Sequence, residues 1–582
     1  MRSPRYRDAA LFRTKATLLQ VKRAFGNAFE SDLERWSIAD SLSHQPVLAE
    51  SRTQLWTSDK DSEIPFVAGK IHNLRLAIQR LNGVEVQPDR VLSFWKQIGR
   101  TSRLKGYTRG RELREGCLIT SVGGGICQLS NALYETAVRA ELEIVERHPH
   151  TKVIPGSLAE KGLDATVFWN YVDLRVRSHH AFRVEAFLTA ESLVVRIRGE
   201  RDHSRLEFPE SHRRRITADV IEDCSACERT NCFRHSQTRR TQFGRSAYLV
   251  DEFWPEFDRY ISSTRRESDL ICVPIDGRRS RKSNYSWTTD GFSKVKQVPS
   301  FVLYRSYKLR RLASQGAARQ QALLAFNERL AGHFASFLTY ETTHLVITQN
   351  LLPFLWLGGH LGGRTFDVLM TRLPLADLHR TLDEAYRRHP ESRTLADFRA
   401  ENLLVKAETE ALAQARKIIT PHSMVAAIFS HKAELIAWTT PAAHAELETP
   451  HTPELRLIFP AATVARKGVY ELRAALQGSN AQLTILGPVL EDEDFWRGVR
   501  VEKSCTSGDW FRRADAVVLP AFVEHRPVRL LEAIAGGIPV IASTACGLEN
   551  MKGVTSVKAG DVESLRTAIN GFYSRNNPNR AT

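Results

Sequence analysis

Nowhere in the 582 residues do eighteen apolar residues run without interruption, and a bilayer-crossing helix needs about that many. The apolar stretch LLPFLWLGG at residues 351–359 is far too short. The opening MRSPRYRDAALFRTK is positively charged but has no apolar core and no small-residue cleavage site, so no secretory signal is expected, and a cytoplasmic location is. Cysteine is sparse: eight residues, only three of them clustered, which argues against a disulfide framework. No nucleic-acid-binding motif stands out, and aromatic residues do not alternate with the basic clusters, so no specific nucleic-acid binding is expected. Acidic residues are outnumbered, 66 Asp and Glu against 82 Lys and Arg, for a net charge of +16. With 42% hydrophobic and 25% charged residues, the chain has the composition of a soluble protein. Its length suits three to four domains of about 150 residues each.

The most informative stretch is PAFVEHRPVRLLEAIAGGIPVIAS, residues 520–543. The apolar strand pattern ADAVVLP precedes it, and within it an Ala/Leu helix is closed by Gly536 and Gly537 before a second strand. A strand-loop-helix-strand unit of this kind places backbone N–H groups and a helix N-terminus at the carboxyl ends of parallel strands, where open α/β sheets bind ligands. Glu524 and Glu532 lie on either side of that helix start.

These residues, with LRLIFPAATVARKGVYELRAAL at 455–476 and AQLTILGP at 481–488, resemble the E-x7-E signature of retaining GT-B glycosyltransferases. The resemblance implies a nucleotide-sugar donor, a UDP- or GDP-sugar, with Glu524 beside the hexose and Glu532 on the ribose. Lys467-Gly468 matches half of the family's basic pair; the position of its Arg is apolar here, and Arg466 is the substitute for contacting the phosphates. Read without the family, Glu524 and Glu532 are surface charges on a doubly wound domain.

A second signature is SVGGGICQLSNALY at 121–134, three glycines placed directly before Cys127 and an amphipathic helix. With VLSFWKQIGRTSRLKGY upstream, and LEIVERHPHT and GLDATVFWNYVDLRVR downstream, it resembles the VanW family over residues 65–200. A cysteine at a helix N-terminus is placed to ionise, and glycines permit close approach. His148, His150 and Asp164 follow, so Cys127, His150 and Asp164 supply the residue types of a nucleophilic triad for acyl transfer or amide hydrolysis. The plain alternative is a structural turn with Cys127 packed in a core.

The cysteine cluster is DCSACERTNCFRH, in which Cys224, Cys227, Cys232 and His235 offer three thiolates and an imidazole for a tetrahedral zinc ion. An iron–sulfur centre and unliganded thiols are the alternatives. Basic residues bunch at 213–215, 239–240, 278–282 and 308–311. Loose association with an anionic membrane surface is the economical use for them, and solvated loop charge the plain one.

The expected architecture is multidomain α/β, with an α+β VanW-like domain followed by a two-lobed, Rossmann-like GT-B enzyme. Its parts are a helical extension (1–64), the VanW-like domain (65–200), a cysteine-cluster and basic linker (201–244), a first lobe (245–450) and a donor-binding second lobe (451–582). Candidate first-lobe strands are DLICVPI, THLVITQ, TFDVLMT and RKIITPHS, and His422 would end the last of them at the cleft. The expected reaction moves a hexose, with retention, to an envelope or secondary-metabolite acceptor: a glycan, lipid-linked or peptidoglycan-type molecule. The enzyme would be cytoplasmic, peripheral at the inner membrane face. The competing reading is a peptidoglycan-related binding protein, or a Cys127-dependent acyl-transfer protein, on a non-catalytic glycosyltransferase-like scaffold.

Overall fold

The computed structural model describes residues 6–576 apart from 30–32, 58–62, 115–116, 151–157, 201–221, 224–243, 313–315, 397–398, 442–453, 504–509 and 511–513. The chain forms two compact units, residues 1–246 with the short segments 337–344 and 358–365, and the remainder from 247 onward.

In the first unit an antiparallel sheet has the strand order Val47–Gln54, Ser192–Gly199, Phe182–Leu188, Val84–Val86. Its two long central strands carry the alternation their sequences predict: Val184, Ala186 and Leu188 on one and Leu193, Val195 and Ile197 on the other are all buried. Helices Ile64–Leu81 and Ile126–Arg139 cover the sheet. A hairpin of Arg109–Arg114 with Cys117–Val122 leads into the second helix. The N-terminal segment departs from the expected helical extension. Among its described residues Tyr6–Phe29 is helical, but Val47–Gln54 is a sheet strand, held by antiparallel pairing with 192–198.

The second unit contains two sheets. The first, in spatial order, is Lys294–Gln297, Leu270–Val273, Arg245–Leu249, Thr342–Thr348, Thr365–Leu369, Lys417–Thr420, Ala433–Leu435. Numbered along the chain this is 3-2-1-4-5-6-7. The second sheet is Arg500–Lys503, Gln482–Ile485, Arg456–Phe459, Ala516–Leu519, Val540–Ser543, Val554–Val557, or 3-2-1-4-5-6, and all its pairings are parallel. Strands such as Leu270–Val273, Ala516–Leu519 and Val540–Ser543 are buried at every position. Burial throughout is what helices on both faces of a parallel sheet produce. All four expected first-lobe strands form, and two doubly wound lobes follow an antiparallel domain, as the sequence implies.

Candidate functional sites

In a doubly wound sheet the chain reverses its winding direction beside strand 1, and loops leaving the strands diverge there to open a crevice. In the second lobe that point lies between Arg456–Phe459 and Ala516–Leu519. Loops from the carboxyl ends of these two strands bring Lys467 and Glu524 together. Lys467 Nζ donates to Glu524 Oε2 at 2.7 Å and to the Val523 carbonyl at 3.2 Å, and the Arg526 N–H donates to Glu524 Oε1 at 2.8 Å. Burial disfavours the charged carboxylate, but Lys467 and His525 outweigh it and hold Glu524 below the usual carboxylate range.

The two loops are stitched by the Arg466 carbonyl, which accepts from the Phe522 and Val523 N–H groups at 2.9 and 3.3 Å. Gly468 has φ +75°, and a Cβ there would stand 2.0 Å from the Pro520 carbonyl oxygen. Its lack of a side chain thus serves the approach of the loops. Glu532, half-buried on helix Val528–Ala535, accepts from Trp510 Nε1 at 3.3 Å; among the described contacts it is not joined to Lys467 or Glu524. The first lobe adds His422, fully buried, whose Nε2–H donates to the Glu524 carbonyl at 3.1 Å. Burial lowers the pKa of that imidazole. The guanidinium of Arg526 lies 4.6 Å over the Trp254 ring, a contact the sequence did not signal.

In the first unit the three glycines are required for separate reasons. Gly123 and Gly125 have φ +82° and +97°, conformations that suit glycine, and Gly124 lies so close to the backbone of Gly110 that a Cβ would be 2.2 Å from its oxygen. The turn ends in helix Ile126–Arg139, which places Cys127 in its first turn, half-buried. From the same helix face Ser130 Oγ donates to the Ala165 carbonyl at 2.6 Å and Asn131 Oδ1 accepts from the Ala165 N–H at 2.9 Å. The segment beginning at Asp164 is therefore fastened beside the cysteine. Asp164, fully buried, accepts from the backbone N–H of His150 at 2.6 Å and from Arg147 Nη2 at 2.9 Å, and pairs with His150 Nδ1 at 2.7 Å. Burial opposes protonation of His150, but its hydrogen bonds to Asp164 and Cys127 prevail and raise its pKa to about 9. His148 turns instead to Glu146, 3.2 Å away, and is exposed.

Residues 69–198 match the family model described as VanW like protein, and residues 460–575 that described as glycosyl transferases group 1. The chain carries a VanW domain and a group 1 glycosyltransferase domain. In the first region it is 32% identical over 135 residues to the vancomycin B-type resistance protein VanW of Enterococcus faecalis, covering 23% of this chain and 49% of that protein. It is 37% identical over 109 residues to the Bacillus subtilis protein YoaR, covering 19% and 35%. The chain thus spans half or less of the length of these curated relatives. Among solved structures, the lipopolysaccharide outer core galactosyltransferase WaaB, in its apo form, aligns with 58% of this chain and 91% of its own at 14% identity and a TM-score of 0.34.

The glycosyltransferase match contains Arg466, Lys467, Gly468, Glu524 and Glu532, and the VanW match contains Cys127, His150 and Asp164. Cys224, Cys227, Cys232 and His235 lie outside the described residues, and among the described residues no group of three or more His, Cys, Asp or Glu could hold a metal. No described helix is long and apolar enough to cross a membrane.

The VanW domain also holds a residue that sequence reading missed. Lys70 lies across Gly125, whose Cβ would meet Lys70 Cγ at 2.1 Å, and its Nζ donates to the Leu55 carbonyl at 2.8 Å. Burial, and then Arg111, lower its pKa to about 7. The available signal was a lysine set among the buried positions Val67, Ile71 and Leu74 of one helix.

A pH dependence follows from His150. Its folded pKa of about 9 exceeds the ordinary 6.5, so its stabilisation is fully present below about pH 6.5 and is lost as pH rises through about 9. The stability gap between the wild type and His150→Ala, measured by urea unfolding, should shrink between about pH 6 and pH 10.

Proposed function

We propose that the second unit transfers a hexose, with retention of configuration, from a UDP- or GDP-sugar to a glycan, lipid-linked or peptidoglycan-type acceptor of the envelope or of secondary metabolism. The observation that carries this reading is the delivery of Lys467 and Glu524 to one point by the two loops at the switch point of a parallel sheet, within the group 1 match. A diphosphate leaving group gathers negative charge as the glycosidic bond breaks, and a preoriented ammonium stabilises that charge. Lys467 would take this role, with Arg466 and the Gly468 turn beside it. Glu524, released from Lys467 as the donor enters, would hold the hexose, and Glu532 the ribose.

The basic clusters suit attachment to the inner face of an anionic membrane, on the cytoplasmic side where nucleotide sugars are available. The Cys224, Cys227, Cys232 and His235 set, if it takes zinc, does so structurally, because this transfer needs no metal.

The test is a thermal-shift panel of nucleotide sugars on the whole chain, followed by product analysis with the donor that binds. A donor present at about 100 times its Kd should stabilise by about 2.7 kcal/mol. Glu532→Ala should weaken donor binding about tenfold with little change in kcat, since a ribose contact is made equally in ground and transition states. A panel without any shift would overturn the reading.

A further inference from the structure

We propose that Cys127, His150 and Asp164 of the VanW domain form a second catalytic site, a thiol-dependent acyl transferase or hydrolase acting on an amide or ester carbonyl. This site stands independently of the glycosyl-transfer reading, because every residue in it belongs to the first unit.

Three features carry the inference. Exposure separates the group into two parts: Cys127 and His150 are both half-buried, the His150 side chain 16% exposed, whereas the Asp164 side chain is 0% exposed. A nucleophile and base that substrate can reach, backed by a sheltered orienting carboxylate, have this pattern. His150 is also held in a defined orientation. Its Nδ1 faces Asp164 at 2.7 Å, while Asp164 is itself fixed by the His150 N–H and by Arg147. Cys127 is among the groups that strengthen this imidazole's hold on its proton. Finally, the thiol's surroundings are built with care: its helix clamps residues 165–167 through Ser130, Asn131 and Cys127 itself, whose Sγ is 3.8 Å from the Val167 carbonyl. The Arg147–Asp164 ion pair does not account for an imidazole fastened to the same buried carboxylate, whose following residues the cysteine's own helix clamps.

The chemistry balances. The reaction starts once the Cys127 thiol proton has passed to the imidazole that Asp164 orients. The thiolate attacks the acyl carbon and forms a C–S bond, and the N-terminal end of helix Ile126–Arg139 faces the developing oxyanion. The C–N or C–O bond then breaks, and the His150 ring proton passes to the departing amine or alcohol, leaving a thioester. Water or an acceptor amine gives a proton to His150 and bonds to the carbonyl carbon. The C–S bond breaks, and the thiolate–imidazolium pair is restored.

Full-length protein treated with iodoacetamide at pH 7 and digested should carry the label on Cys127 at least tenfold sooner than on Cys272 or Cys546, which are fully buried. With p-nitrophenyl acetate, Cys127 should acquire an acetyl group as nitrophenolate is released. His150→Ala should slow both reactions at least tenfold, and added imidazole should restore part of the acylation, a rescue that a packing role would not produce. Asp164→Asn should slow acylation too; if that variant unfolds, His150→Gln with an unchanged melting temperature carries the test. Labelling of Cys127 only after denaturation, or a folded His150→Ala that reacts at the wild-type rate, would overturn the proposal.

Discussion

Lys467→Met should lower the rate of glycosyl transfer by about 10²–10³-fold, the range found when one preoriented donor to developing charge is removed. The loss should fall on kcat, because charge on the leaving phosphate grows toward the transition state. Lys467→Arg should retain part of the rate, since a guanidinium keeps the charge but not the compact reach of the ammonium. The same substitution tests the structure. The Lys467 and Glu524 side chains are 16% and 11% exposed and 2.7 Å apart, so removing the lysine leaves a shielded carboxylate without its partner. Breaking a fully buried pair costs about 3–5 kcal/mol, and partial exposure reduces this to about 2 kcal/mol. Glu524→Gln in the Lys467→Met background should recover part of that stability, though not the activity. Urea unfolding of the four proteins in this double-mutant cycle measures the coupling directly. A Lys467→Met enzyme with full activity would remove Lys467 from the mechanism.

Gly468→Ala should destabilise the second unit by about 3 kcal/mol or more. A left-handed backbone costs a side-chain-bearing residue about 1–2 kcal/mol, and overpacking a tight site typically adds about 1–3 kcal/mol. Here the new Cβ would lie 2.0 Å from the oxygen and 2.6 Å from the carbon of the Pro520 carbonyl, main-chain atoms that cannot rotate away. Pro520 directly follows strand Ala516–Leu519, so any displacement passes to the loop that holds Glu524. Thermal melting should show a lower midpoint, together with weaker donor binding. Gly478→Ala is the control: it also has positive φ but open space around its Cβ, so it should show only the backbone cost.

Much of this arrangement was legible in the chain because it depends on local pattern. Apolar runs such as AVVL and VIAS announced buried parallel strands, and Gly536-Gly537 marked a helix end. Gly537 indeed takes φ +77°. The glycine triplet was conspicuous, but its reason was not: the partners that make Gly124 and Gly125 necessary are Gly110 and Lys70, one in a hairpin and one on a distant helix. Strand Val47–Gln54 escaped notice because nothing within it reveals a partner about 145 residues later.

Residue type and local spacing thus determined the four expected strands of the first lobe, the strand-loop-helix-strand unit of the second, and the choice of candidate nucleophile and carboxylates. Pairing is a different kind of fact. That Lys467 meets Glu524, that His422 reaches the Glu524 carbonyl, and that His150 turns its Nδ1 to Asp164 while His148 turns to Glu146, were decided only when sheets closed and loops met. A hydrogen bond depends on distance and angle to within a few tenths of an ångström. Chain periodicity sets which face a side chain occupies but carries no information about which distant segment will pack against it.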